Sequence, residues 1–409
     1  MIGVAVLGFG TVGSGVVDVI EKNRESFRQK AGEELYVKYV LDIRDFPGDP
    51  YENLIIHDFS VIENDPEVSI VVETIGGTKI AGDFTRRALN AGKSVVTSNK
   101  ELVAASAVEF FRIAAEKNVN YLFEASVGGG IPIIRPLNQC LAANDISEIY
   151  GILNGTTNYI LTRMVSTGAD FDTALAEAQA LGYAEANPTA DISGADACRK
   201  ICILASLAYG FHVYPDMVRI EGIENISAPD IAFGAAIGRK VKLLGCAKRL
   251  DSGKLYITVS PFFIPEKSPI ACIDDVFNGI VVKGDAIDEV MFYGRGAGKY
   301  PTASAVVADV IDAAKHRYAR KWMDWEESSE NMIADCRQVS HDYLVRIEAD
   351  NVEAELARAE KIFGSIETIK ADNVGPCDGA FLVRNIAEKD ILEKLSELGE
   401  CYRHKMMLL

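Results

Sequence analysis

No run of about 18 apolar residues occurs in the sequence, although hydrophobic residues make up 48% of it, so insertion into a membrane is not expected. Positive charge is in short supply: 42 lysines and arginines face 59 aspartates and glutamates, a net charge of −17. Long-range repulsion then opposes nucleic acid or anionic lipid as a partner. The eight cysteines form no CxxC pair and the five histidines no HExxH spacing, which excludes zinc-type sites and a disulfide framework and leaves the cysteines as buried thiols. Internal repeats and low-complexity segments are absent. No basic segment followed by an apolar stretch opens the chain, so a cytoplasmic location is expected. At 409 residues the chain exceeds what one core serves, and two or three domains are expected.

An apolar run at Ile2–Leu7 leads into Gly8-Phe9-Gly10-Thr11-Val12-Gly13 and then into an amphipathic stretch, the order strand, turn, helix. Further strand-like runs at 36–43, 69–73, 94–97 and 120–123 alternate with helical patterns at 83–91 and 103–117. Residues 1–135 therefore read as an α/β, Rossmann-type doubly wound parallel sheet. Residues 136–320 read as an α+β substrate domain, with helices at 158–165, 171–181, 194–209 and 231–243, strands near 147–153, 255–263 and 278–283, and a final helix at 303–314. A charged connector around 322–330 precedes a tail, 341–409, whose strand, helix, strand, strand, helix, strand pattern is that of a ferredoxin-like unit, with helices at 352–363 and 388–398.

In GxGxxG context the first glycine allows the turn, the second lets backbone approach a pyrophosphate, and the third lets the helix pack closely. The chain is therefore expected to bind a nicotinamide dinucleotide through Gly8, Phe9, Gly10, Thr11, Val12 and Gly13. After the second strand, Asp42, Arg44 and Asp45 leave NAD and NADP both open: an aspartate accepts from a ribose 2′-OH, an arginine pairs with a 2′-phosphate. Asp49 and Glu52 nearby weigh against a phosphate. Thr74, Ser98 and Lys100 lie past the carboxyl ends of later parallel strands, where such sheets place ligands. A lysine at a helix start opposes the helix dipole, which marks Lys100 as a site candidate. The segment 178–200 packs Glu185, Asp191, Asp196 and Lys200 around Gly182 and Gly194. Asp196 and Lys200, four residues apart on a helix, can pair, either as an ordinary surface ion pair or as part of a pocket for an ammonium-bearing substrate.

The pattern Ala178-x3-Gly182-Tyr183-Ala184-x2-Asn187-Pro188-x2-Asp191-Ile192-x-Gly194-x-Asp196-x3-Lys200 resembles, without a gap, the signature of the homoserine dehydrogenase family. GFGTVG, VVTSNK, EASVGGGIPII from Glu124, NGTTNYIL from Asn154 and GRGAGKYPTASAVV from Gly294 are similar to other stretches of that family. The resemblance implies NAD- or NADP-dependent, reversible reduction of L-aspartate 4-semialdehyde to L-homoserine, within threonine and methionine biosynthesis. It implies Lys200 as proton donor and Lys100 as a second lysine whose like charge lowers the ammonium pKa; the division of labour between them stays open. It further implies that Glu185 holds the substrate ammonium, that Gly155, Thr156, Gly182, Tyr183, Asp191 and Asp196 line the substrate site, and that Gly296 and Gly298, in a segment (294–315) returning to the coenzyme, help bind it. Backbone carbonyls of Glu124, Val127, Gly129 and Ile131 are implied as ligands of sodium or potassium. A homodimer or higher homo-oligomer, formed through the middle domain, is implied as well.

The tail resembles an ACT domain, a ferredoxin-like module that often binds an amino-acid effector. Where such domains often carry Pro-Gly after the first strand, this chain has Asp350-Asn351-Val352, so threonine inhibition and a purely structural or oligomerising tail remain alternatives. A thiohemiacetal-forming aldehyde dehydrogenase would need a reactive cysteine with a histidine partner, which no cysteine here has in sequence. A sensor with a dead dehydrogenase domain is disfavoured by retention of Glu185, Asp191, Asp196, Lys100 and Lys200 together.

Overall fold

The computed structural model describes residues 1–327 and 332–409; the end of the expected connector, 328–330, lies outside the described residues. The first unit runs β1 (Ile2–Leu7), α1 (Thr11–Lys22), α2 (Arg24–Ala31), β2 (Leu35–Leu41), β3 (Ile55–Ile56), α3 (Phe59–Asn64), β4 (Val68–Glu73), α4 (Lys79–Asn90), β5 (Ser94–Thr97), α5 (Lys100–Lys117) and β6 (Tyr121–Leu122). Its six strands pair in parallel in the order β3-β2-β1-β4-β5-β6, the doubly wound arrangement whose ligand crevice opens at the strand carboxyl ends. Every residue of β1 is buried, as a central strand covered by helices on both faces requires.

The middle unit comprises β7 (Ile146–Ile152), α6 (Gly155–Thr167), α7 (Phe171–Ala180), α8 (Thr189–Ile192), α9 (Ala195–Tyr209), β8 (Arg219–Ile220), α10 (Ala228–Ala236), β9 (Arg239–Arg249), β10 (Leu255–Pro265), β11 (Phe277–Gly284), β12 (Asp288–Arg295) and α11 (Lys299–Lys315). The tail follows with β13 (Ser340–Glu348), α12 (Val352–Phe363), β14 (Glu367–Ile369), β15 (Asp378–Ala387), α13 (Glu388–Leu398) and β16 (Tyr402–Leu408). Its strands lie in the order β16-β13-β15-β14, and β16 also pairs in parallel with β10, Phe262 opposite Met407. One ten-stranded sheet thus runs through the middle unit and the tail.

Several elements depart from expectation. The helix expected over 231–243 ends at Ala236; Gly238, with φ +66°, turns the chain, and Val241, Leu243 and Leu244 enter strand β9. That strand lies between β7 and β10 with both faces buried, and a continuous apolar run of this kind has no period-2 signature to separate it from a helix. Strand β12, exposed at the sheet edge, and the short α2 and α3 carry too little apolar pattern to stand out. In the tail, Asn351 occupies the position where a Pro-Gly turn was missing, and its side chain accepts from the Ala354 N–H at 3.0 Å, capping α12.

Helix α11 returns to the first unit and packs on α1: a Cβ at Gly15 would lie 2.9 Å from Lys299 and 3.1 Å from Ala303. The tail is fastened differently, by a largely buried cluster of charges. Arg346 donates to Asp230 at 2.9 Å, Lys405 to Glu388 at 3.0 Å, Arg219 pairs with Glu388, and His404 lies 3.4 Å from Asp230 and 3.8 Å from Glu221. Burial opposes the charge of His404, but Asp230 and Glu221 outweigh it and lift its pKa to about 9. A folded-state pKa raised above the unfolded value of 6.5 gives stability that is complete below that value and lost as pH rises through 9. The melting temperature is therefore expected to fall from about pH 7 to 9.5 more steeply in the wild type than in His404→Gln; parallel curves would contradict the assignment.

Candidate active site

β1 delivers the chain to Gly8, whose φ of +89° makes the turn. A Cβ at Gly13 would fall 1.8 Å from the Gly8 carbonyl oxygen, so α1 can begin here only with glycine at that place. At Gly10 nothing lies within 4 Å of a Cβ position, and α1 has no side-chain cap. The N–H groups of Thr11, Val12 and Gly13 face this open space without protein acceptors among the described residues, the donor set that a pyrophosphate needs. Phe9 donates its N–H to Asp42 at 2.7 Å and packs edge-on against Phe46.

The charges after β2 are not equivalent. Asp42 takes the Phe9 N–H and both the Nε (2.9 Å) and Nη2 (3.0 Å) of Arg44, and this guanidinium holds its carboxyl well below the usual carboxylate range. Its acceptor capacity is largely spent, whereas the Arg44 side chain is 59% exposed and lies 4.9 Å over the Phe46 ring. Asp45 is engaged by His57 Nε2 at 3.1 Å.

At the ends of β4 and β5, Thr74 donates to the carbonyls of Leu7 (2.8 Å) and Gly8 (3.0 Å), pinning the glycine turn. The Ser98 N–H reaches the Glu73 carbonyl at 3.4 Å. Glu73, fully buried and with its pKa raised by that burial, accepts from Thr97 Oγ1 at 2.6 Å and from the Ile75 N–H at 2.7 Å. Asn99 caps α5 by accepting from the Leu102 N–H, and the helix opens on Lys100.

Lys100 Nζ lies 2.9 Å from Asp196 Oδ1, and Lys200 Nζ lies 2.7 Å from Asp196 Oδ2. Asp196 is 4% and Lys200 9% exposed, which rules out an ordinary surface pair. Burial works against the Asp196 charge, but Lys200 and Lys100 outweigh it and hold the carboxyl well below its ordinary range. The expected lowering of the lysine pKa is corrected at Lys100: burial acts in that direction, yet the Asp196 carboxylate between the two ammonium groups more than offsets it, and the pKa is raised. Asn154 Nδ2 donates to Asp196 Oδ2 (2.8 Å) and Asp191 Oδ1 (2.7 Å), while its Oδ1 caps α6 through the Thr157 N–H. Asp191 has its pKa raised by burial. Lys200 also donates to the Leu153 carbonyl at 2.7 Å.

These groups line a cavity of about 340 Å³, together with Gly155, Thr156, Gly182, Tyr183, Val276, Arg295, Gly296, Ala297 and Gly298. Thr156 Oγ1 donates to the Tyr183 carbonyl at 2.7 Å, fastening the 182–183 turn to the start of α6. Glu185 is not brought in: it is exposed, outside the cavity lining, and its carbonyl accepts from Gln179. Glu124, buried at 3%, spends its carboxylate on the N–H groups of Ile133, Ile134 and Arg135. Gly129 packs against Gly296, whose carbonyl oxygen would lie 2.4 Å from a Cβ there, so the 124–131 loop backs the segment that lines the cavity. Among the described residues no hydrogen bond reaches the buried carbonyls of Val127, Gly129 and Ile131. Asn154, Arg295 and Glu73 carry no separate signal in the sequence beyond their places, Asn154 inside the NGTTN motif, Arg295 inside GRGAG and Glu73 at a strand end beside Thr74.

The match with known proteins follows the same two halves. Residues 8–124 fit the family model "Homoserine dehydrogenase, NAD binding domain" and residues 132–311 the model "Homoserine dehydrogenase". A homoserine dehydrogenase of Pseudomonas aeruginosa is 37% identical over 406 residues, covering 96% of this chain and 93% of its own. The crystal structure of a homoserine dehydrogenase from Thiobacillus denitrificans superposes with a TM-score of 0.89 at 36% identity, over 100% of this chain and 98% of that one. A hyperthermophilic archaeal homoserine dehydrogenase in complex with NADPH superposes at 0.64 and 29% identity, over 76% of this chain and 97% of that one. From the glycine turn to the tail, the chain belongs to the homoserine dehydrogenase family of oxidoreductases.

Proposed function

We propose that the cavity around Asp196 interconverts L-aspartate 4-semialdehyde and L-homoserine, with Lys200 as the proton donor to the aldehyde oxygen. The observation that carries this reading is the pairing of two lysines, one from each unit, on one buried carboxylate that lines a cavity beyond the strand ends of the parallel sheet. When bound, a nicotinamide coenzyme supplies hydride in reduction and accepts it in oxidation. Gly8 to Gly13 hold its pyrophosphate through the free N–H groups of α1, with Thr74, Ser98, Gly296 and Gly298 around the same crevice. Lys200, oriented by Asp196 and the Leu153 carbonyl, stabilises the developing alkoxide and gives it a proton. Lys100 keeps a second positive charge on Asp196, so that this carboxylate neither strips the proton from Lys200 nor repels the alkoxide. Asp191 in the cavity, with Glu185 on the exposed turn beside it, offers negative charge to the substrate ammonium.

Exposure of Arg44, with Asp42 already occupied, favours NADP over NAD. The buried, unpartnered carbonyls of Val127, Gly129 and Ile131, with Glu124 at the head of the loop, fit a sodium or potassium ion. The βαββαβ order of the tail supports an ACT-like module open to an amino-acid effector, and the exposed Met291 and Tyr293 on edge strand β12 support a homodimer through the middle unit. In a cytoplasmic setting the product would feed threonine and methionine synthesis.

Incubation with homoserine and either coenzyme, followed by the absorbance of reduced nicotinamide, tests the reading directly: turnover is expected with NADP. Lys200→Ala should lower kcat by about 10²–10⁴-fold with near-normal coenzyme binding, and retention of most activity would remove Lys200 from the donor role. Arg44→Ala should raise the KM for NADP about tenfold or more, as the loss of a charge-assisted hydrogen bond implies, and leave that for NAD unchanged; equal effects on both would exclude a 2′-phosphate contact.

A further inference from the structure

The substrate named above is a zwitterion, and the reading so far gives its ammonium and its reacting oxygen a partner but not its α-carboxylate. We propose that Arg295 binds that carboxylate; this inference rests on the proposed reaction. The cavity lining contains three cations and two anions: Lys100, Lys200 and Arg295 against Asp191 and Asp196. Both lysines are committed to Asp196 at 2.9 and 2.7 Å. Arg295 alone is uncommitted: among the described residues no carboxylate lies within 4 Å of its guanidinium, and it makes no side-chain hydrogen bond to protein. A guanidinium whose planar fork of donors is unused matches a carboxylate.

The residue is exposed, but its backbone is fixed. Arg295 is the last residue of β12, opposite Phe277 in the ladder; its carbonyl accepts from the Gly130 N–H at 3.0 Å. The guanidinium lies 5.1 Å from the Phe277 ring centroid, a cation–π contact that lays the side chain down without using its hydrogen-bond donors.

The facing wall is the first turn of α6. Asn154 Oδ1 caps the Thr157 N–H, which leaves the N–H groups of Gly155 and Thr156 without a protein acceptor among the described residues. Asn278, 1% exposed, lies between the walls: its side-chain oxygen would be 3.4 Å from a Cβ at Gly155 and 2.5 Å from one at Gly296. The start of α6 and the residue after Arg295 are thus one side chain apart, a spacing suited to a carboxylate gripped from both sides. Three separate groups then orient the substrate: Asp191 toward the ammonium, Arg295 toward the carboxylate, and Lys200 toward the oxygen that gains or loses a proton.

The test compares wild type, Arg295→Gln and Arg295→Lys as full-length enzymes, with L-homoserine and with 3-aminopropan-1-ol, which is homoserine without its carboxylate. In Arg295→Gln, kcat/KM for homoserine should fall about 10–100-fold, the range for a hydrogen bond to a charged group, mainly through KM. Values for 3-aminopropan-1-ol and the KM for coenzyme should stay put, and Arg295→Lys should recover part of the loss. An equal loss on both alcohols, or a rise confined to the coenzyme KM, would overturn the proposal and place Arg295 against the coenzyme or in a structural role. A wild-type enzyme that fails to oxidise homoserine would overturn the reaction itself, and this inference with it.

Discussion

Asp196 is a carboxylate closed off from water, and an isolated charge in that position would be neutralised by taking up a proton. Two ammonium groups prevent this, one on each oxygen, and the Asn154 amide adds a third donor. The consequence reaches beyond one side chain. Lys100 begins the helix that follows the fifth strand of the dinucleotide-binding sheet, while Lys200 stands on α9 of the middle unit. The shared carboxylate therefore ties the two units together at the point where substrate and coenzyme must meet. Removing Asp196 would leave the buried Lys200 ammonium and its neighbour Lys100 without their shared counter-charge, a costly change.

Much of the local architecture serves to bring those three groups together. Asn99, two residues past the end of β5, caps α5, which fixes the direction in which Lys100 departs. Gly194, at φ +85°, opens α9, and no larger residue would fit readily there, since Ile220 and Val259 each lie 3.0 Å from its Cβ position. Asn154 caps α6 with its oxygen and holds both aspartates with its nitrogen. Thr74, bonded to the carbonyls of Leu7 and Gly8, and Gly13, pressed on the Gly8 carbonyl, do the same for the coenzyme side. The tail, spliced to the middle sheet through β16, is locked by its own ion cluster away from this centre.

The glycine turn and the Asp196–Lys200 spacing were legible because their physics is local: a strand followed by three glycines, and two opposite charges one helical turn apart. The two-lysine arrangement was legible only in outline. That Lys100 would share Asp196, and so have its pKa raised, depends on a contact between residues 96 positions apart. Arg44 and Asp42 stand two residues apart in sequence, but only their bidentate geometry shows which of them is spent and which is exposed. Helix and strand are hard to tell apart at 231–243 because a strand buried on both faces carries no alternation.

The shared carboxylate can be tested in isolation with Asp196→Asn, which keeps the shape and removes the charge. The buried Lys200 ammonium and the partly exposed Lys100 ammonium would then face one another without a counter-charge, and their repulsion would favour loss of a proton. In the direction of aldehyde reduction, which needs a protonated lysine, the loss of kcat/KM at high pH should move to lower pH by a unit or more, on the order of the shifts that one neighbouring charge produces. A variant whose pH profile keeps the wild-type shape, lowered or not, would contradict the claim that the Asp196 carboxylate offsets the repulsion between the two site lysines.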